Sequence, residues 1–316
     1  MASTYRHLSS AGLDIQCERR LRQYAHARRG LGVTRSPTAY PLVTIPWRTV
    51  SSAVHQTYAN HRARPIDLSD CAEALSHLLA LVFAVSDSSL PPGPPTRLFF
   101  IMGKFPMSAF ISEQRTTLAP PLQSDLSNKT VLITGGNTGI GFEAVKTFAK
   151  QHPKKLLLGC RSESKGKSAA ERIEKETGYR GIELAILDSG DFNSIVKFAE
   201  NFKDEPLDIL IANAGIAIGE YEETKDGWES GLQVNHLSTA LLAVLLLPNL
   251  VRTAQKHGTH SRLVIVSSDT HYWTKFDEEM LDAPSILRKL NDREFCTTEV
   301  MAHRYYDTKC EYSSFM

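Results

Sequence analysis

The sequence predicts an α/β protein built on a doubly wound parallel sheet, and three observations carry that prediction. From Lys129 onward, short β-branched or leucine-rich runs alternate with helical patterns, as parallel strands joined by crossover helices require. The first run, at 131–133, passes through Thr134 into a loop with glycine at 135, 136, 139 and 141. That is the pattern of a buried strand turning sharply into a helix. The chain of 316 residues, 42% hydrophobic and 22% charged, has the length and composition of a globular protein, enough to bury one large core.

Each element follows in order. After the first strand a helix is expected over 142–150. KKLLLGCR gives a second strand at about 155–160, ending at Arg161, and the polar, lysine-rich segment at about 164–177 gives its helix. Residues 182–187 and 192–202 form the third strand and helix. The fourth strand, 207–212, runs into Asn213-Ala214-Gly215. A long helix is expected over 227–247, stopping at Pro248, because proline lacks an N–H and clashes with the preceding turn. Its LLAVLLL run is apolar on nearly all sides, which suits a helix held between the sheet and a second copy of the chain. The fifth strand is 262–267.

The first third of the chain is different. Before Lys104 every basic position is arginine; the segment is broken by Pro37, Pro41, Pro46 and Pro65 and ends in Pro-Pro-Gly-Pro-Pro at 91–95. Its one helical pattern is 68–85. Residues 1–106 are therefore expected to be a low-order or spurious extension, with Met107 the natural start and 107–316 the folded domain. A mitochondrial presequence, interrupted by Asp14 and Glu18, is the weaker alternative to a cytoplasmic protein. A net charge of +1 argues against nucleic acid as the main partner. The five cysteines form no C-x-x-C pair and read as reduced thiols. His257, His260, His271 and His303 make no ligand pattern with cysteine or carboxylate, so no metal is expected. The apolar stretches 72–85 and 237–247 are shorter than the ~20 residues a bilayer span takes, and no membrane span is expected.

The chemistry begins at the glycine loop. Glycine there lets a phosphate approach the backbone, and the following helix aims its free N–H groups and about half a positive charge at the same place. A dinucleotide pyrophosphate fits such a site. Arg161, just past the second strand, lies where the adenosine ribose sits in this Rossmann-like fold. Arginine there can fork onto a 2′-phosphate, where an acidic residue would bind a free 2′-hydroxyl. NADP(H) is the expected cofactor.

The spacing of Thr134, Gly135, Gly139 and Gly141 as T-G-x-x-x-G-x-G resembles the cofactor loop of the short-chain dehydrogenase/reductase family. The resemblance covers about residues 125–310. It implies that Gly135, Asn137, Thr138, Gly139, Ile140 and Gly141 line the cofactor, that Asp188 contacts adenine, and that Asn213 and Gly215 of the N-A-G motif hold the central strand and let the cofactor pass. It also implies a catalytic set: Ser268 in VIVSSD, Asn235 in LQVNH, and Tyr305 with Lys309. Tyrosine and lysine four positions apart share one helix face. A free tyrosine, with a pKa of about 10, exchanges protons poorly near neutrality. An ammonium about 4 Å away supplies roughly the 4 kcal/mol that a three-unit shift requires. Tyr306 is a rival, but only Tyr305 has lysine four positions on.

The long interval from Ser268 to Tyr305 resembles the retinol-dehydrogenase-like branch and its fungal relatives. Within it His271, Trp273, Phe276 and Leu281 are expected to shape a pocket for an apolar ketone, aldehyde or alcohol, as in a tailoring step of fungal secondary metabolism. The competing reading is a non-catalytic nucleotide-binding protein or an inactive fragment. Only Cys310 to Met316 follow Lys309, so the resemblance implies a chain cut short within the Tyr-Lys helix, with the fifth strand left as an apolar edge. A Cys310-Glu311-Tyr312 tail can be encoded by a sequence containing an intron start, which would account for the cut.

Overall fold

The computed structural model describes residues 106–117, 120–274 and 278–315. The extension up to residue 105, with its helical pattern at 68–85 and the presequence reading, lies outside them. The described residues divide into two compact units, one over 113–267 and a second made of 106–112 with those from 268 onward.

The first unit holds the sheet. Strands β1 (Thr130–Thr134), β2 (Lys155–Cys160), β3 (Ile182–Ile186), β4 (Ile209–Ala212) and β5 (Arg262–Ile265) lie in the order β3-β2-β1-β4-β5. Every pair is parallel. The strand order reverses beside β1, which places the C-terminal ends of β1 and β4 at the switch point where ligands bind in such sheets. The α2 helix (Gly139–Ala149) and α3 (Glu163–Thr177) join β1 to β2 and β2 to β3, and α4 (Phe192–Phe202) returns to β4.

Strand periodicity explains the layers. Val131, Ile133, Leu156 and Leu158 form one buried cluster with Phe142, Val145 and Ala149 of α2 and Ala169 and Ile173 of α3. Their alternates Leu132 and Leu157 are equally buried, so β1 and β2 are covered on both faces. At the N-terminal ends of the strands, buried Asp208 accepts from the Thr130 backbone N–H (2.9 Å) and from Lys129 Nζ (3.0 Å), tying β4 to β1.

The long helix departs from expectation. α5 runs Ser230–His257, passing through Pro248 and ending on Gly258 in the left-handed conformation. Proline leaves the Val244 carbonyl without its helical donor, but residues beyond it are anchored independently. Buried Asn249 donates through Nδ2 to the carbonyls of Phe202 (2.8 Å), Lys203 (3.2 Å) and Glu205 (2.9 Å). Thr253 Oγ1 accepts from Leu207 N–H (2.9 Å). These bonds hold the last turns in place, so the proline does not end the helix. At 28 residues α5 is long and apolar enough to cross a membrane by length and composition, and 72% of its apolar window is buried inside the chain. A core helix meets the same criterion. One turn, Gln233–Leu237, is π-helical, a form concentrated at functional sites.

In the second unit a 3₁₀ turn (Asp269–Trp273) follows Ser268, then α6 (Glu278–Asp282), α7 (Ile286–Asn291) and α8 (Thr298–Phe315). The α1 helix (Met107–Gln114) supplies Phe110 to the same unit. α8 starts upstream of the Tyr-Lys pair and is 18 residues long, beyond the 12–15 or so at which an isolated helix is marginal.

Candidate active site

In the first unit the glycine loop is itself the start of α2. The helix begins at Gly139, three residues earlier than the apolar pattern suggests, so Gly139, Ile140 and Gly141 form its first turn. Gly135 has φ +70°, and a Cβ on Gly141 would overlap the Gly135 carbonyl oxygen. The loop is therefore folded on itself, with no room for a side chain at Gly141. Thr138, the N-cap, makes no side-chain cap hydrogen bond. A Cβ on Gly139 would meet no atom within 4 Å, and Ile140 is 76% exposed. An 11-residue helix thus opens on free space with uncapped N–H groups, which fits a pyrophosphate. Asn137 is half-buried in the same loop.

The adjoining strand ends are bolted together. Thr134 Oγ1 accepts from the backbone N–H of both Asn213 and Ala214 (3.0 Å each), and Asn213 Nδ2 donates to the Thr134 carbonyl (2.9 Å). Thr134 is thus a positioning residue whose role the motif spacing did not reveal. Gly215 is exposed just beyond. Asn235, buried in the π turn, pairs its amide with one backbone unit: Oδ1 accepts from Ile216 N–H (2.7 Å) and Nδ2 donates to the Ile216 carbonyl (2.8 Å). The structure gives Asn235 the task of fixing the chain just past the N-A-G motif. Its neighbour His236 is fully buried, and desolvation pushes its pKa down to about 3.

Arg161 is exposed at the end of β2 and makes no ion pair among the described residues. Asp188 is half-buried, and its Oδ1 accepts from Gly190 N–H (2.9 Å). That is a turn aspartate's bond, and it leaves the second carboxylate oxygen for other use.

The second unit carries Ser268, Tyr305 and Lys309. Ser268 caps the 3₁₀ turn, its Oγ accepting from Thr270 N–H (3.3 Å) and from Thr270 Oγ1 (2.9 Å). His271 Nδ1 lies 2.5 Å from the Ser268 carbonyl oxygen, which places that ring's proton on Nδ1. On α8 the Lys309 Nζ sits 5.7 Å from the centre of the Tyr305 ring. Lys309 is buried, and desolvation holds its ammonium below the usual lysine pKa. Tyr306 points to a different set of partners: its ring meets Trp273 edge-on (5.6 Å) and lies 5.6 Å from His303, while Trp273 meets Phe110 edge-on (5.2 Å). Of the interval expected to line a pocket, Phe276 lies outside the described residues.

Residues 129–272 match the family described as short chain dehydrogenase. The chain is 40% identical over 191 residues to the short chain dehydrogenase sol3 of Alternaria solani, covering 60% of this chain and 66% of that protein. It is 41% identical over 185 residues to the short-chain dehydrogenase/reductase phmF of Phaeosphaeria nodorum, covering 56% and 54%. Among solved structures, a putative short chain dehydrogenase from Escherichia coli CFT073 is 26% identical, with TM-score 0.45, covering 62% of this chain and 76% of that one. The chain thus spans less than two thirds of the curated relatives' length. Its parallel sheet, its glycine-lined helix start and its 40% identity to fungal members show that it belongs to the short-chain dehydrogenase/reductase family.

Proposed function

We propose that the protein is an NADP(H)-dependent oxidoreductase interconverting an apolar alcohol with its ketone or aldehyde. The observation that carries this reading is the open, uncapped start of α2 beside the Thr134–Asn213 lock, a site with phosphate-binding geometry. Residues 135–141, Asn213 and Gly215 would hold the dinucleotide. Arg161, exposed and without an ion-pair partner among the described residues, supports the 2′-phosphate form.

The bound cofactor would supply or accept the hydride. In reduction Tyr305 transfers its proton to the carbonyl oxygen as the carbon gains the hydride, Ser268 donates a hydrogen bond to that oxygen, and the tyrosine is reprotonated from solvent. Lys309 stabilises the phenolate left behind, and its lowered pKa suits it to pass on a proton. Oxidation is the reverse. The aromatic group Phe110, Trp273 and Tyr306 and the fungal origin of the first relatives support an apolar substrate of fungal secondary metabolism.

Calorimetric titration tests the reading. NADPH should bind more tightly than NADH, and Arg161→Ala should narrow the difference by about 1.5–3 kcal/mol. Equal affinities for the two nucleotides would refute the NADP(H) assignment. Tyr305→Phe should bind NADPH normally yet fail to reduce a panel of apolar carbonyls.

A further inference from the structure

We propose that Thr270 is a positioning residue that obliges Ser268 to act as a hydrogen-bond donor. This rests on the oxidoreductase reading, in which Ser268 steadies the substrate oxygen. A serine hydroxyl has one proton to give and two lone pairs with which to accept. Used freely it can accept from a neighbour as readily as it donates, and a hydroxyl that accepts does nothing for a carbonyl oxygen.

The 3₁₀ turn removes that ambiguity. Thr270 Oγ1 donates to Ser268 Oγ at 2.9 Å, and Thr270 N–H donates to the same atom at 3.3 Å. Both accepting directions are occupied by one residue, two positions along the chain. What remains to Ser268 is its proton. The turn that holds Thr270 is fixed in turn by the His271 Nδ1 contact with the Ser268 carbonyl oxygen at 2.5 Å and by the Thr274 N–H bond to the His271 carbonyl (3.3 Å). Serine and threonine hydroxyls are interchangeable for this purpose, whereas the methyl of valine is not.

The test compares Thr270→Val, Thr270→Ser and Ser268→Ala in the full chain, with acetophenone and NADPH as the probes. Ser268→Ala should lower kcat about a hundredfold. Thr270→Val should lower kcat by about three- to tenfold with the dissociation constant of NADPH unchanged, and Thr270→Ser should restore it. Wild-type kcat in Thr270→Val beside a crippled Ser268→Ala would overturn the inference and leave the oxidoreductase reading standing. Wild-type turnover in Ser268→Ala would overturn the role given to Ser268 and the inference with it. Neutron diffraction from the deuterated protein gives a readout independent of turnover. A Ser268 hydroxyl deuterium directed away from Thr270 supports the inference, and one directed at Thr270 Oγ1 overturns it.

Discussion

His236 and Lys309 are both buried, and in both burial disfavours the charged form. For His236 the consequence is a dependence of stability on pH. Its pKa in the fold is about 3, against about 6.5 unfolded, so the unfolded chain binds the proton more readily. The stability tied to neutral His236 is complete above the unfolded pKa and is lost as pH falls toward 3. Between pH 7 and pH 5 the loss should be about 2 kcal/mol. Urea unfolding of the wild type and His236→Gln over that range checks it: the variant should lose less, and parallel pH profiles would refute the argument. At this scale the sequence reveals some residues and hides others. The loop glycines and Arg161 were legible because their spacing from a strand end fixes their place. Thr270 and the bonding role of Thr134 were not, because their partners are set by the bonding geometry of a 3₁₀ turn and a strand end.

α5 shows where local rules yield to packing. Pro248 predicts a stop, and a helix-interior proline does cost about 3 kcal/mol relative to alanine. The helix continues because Asn249 and Thr253 bond to the segment 202–207, and bonds between distant elements leave no periodic trace in a sequence. Two substitutions separate the terms. Pro248→Ala should raise stability by about 1–3 kcal/mol, since the Val244 carbonyl regains a donor. Asn249→Ala should lower it by about 2–3 kcal/mol, since carbonyls at the end of α4 lose a buried donor. Chemical denaturation measures both; a destabilised Pro248→Ala would show that the proline itself shapes the helix. The π turn at Gln233–Leu237 was equally hidden, yet it carries the Asn235 bonds to Ile216. The strands β1, β2 and β3 and helices α3 and α4 were legible almost to their ends, because β-branched or leucine-rich runs and the polar segments between them are local signals.

Across the sheet as a whole, protection falls from centre to edge. β1 is buried along its length and β2 at five of six positions, whereas β5 has Arg262, Leu263 and Val264 exposed in succession. Leu263 is 38% and Val264 43% exposed, so both faces of the strand meet solvent. Among the described residues β5 bonds to β4 on one side and is the last strand in the order. Its outer edge therefore offers backbone N–H and carbonyl groups flanked by apolar side chains, the template on which strands of other chains pair. The apolar residues of α5 offer much less, since Leu241, Leu242, Ala243, Val244 and Leu246 are buried. The 316-residue chain should therefore self-associate through β5 as concentration rises. A charge on that strand should oppose association without touching the cofactor loop. Val264→Lys should shift the sedimentation profile toward monomer while leaving NADPH affinity unchanged. A monomeric wild type at high concentration, or a Val264→Lys chain that associates as strongly as the wild type, would show that β5 is not the surface through which copies meet.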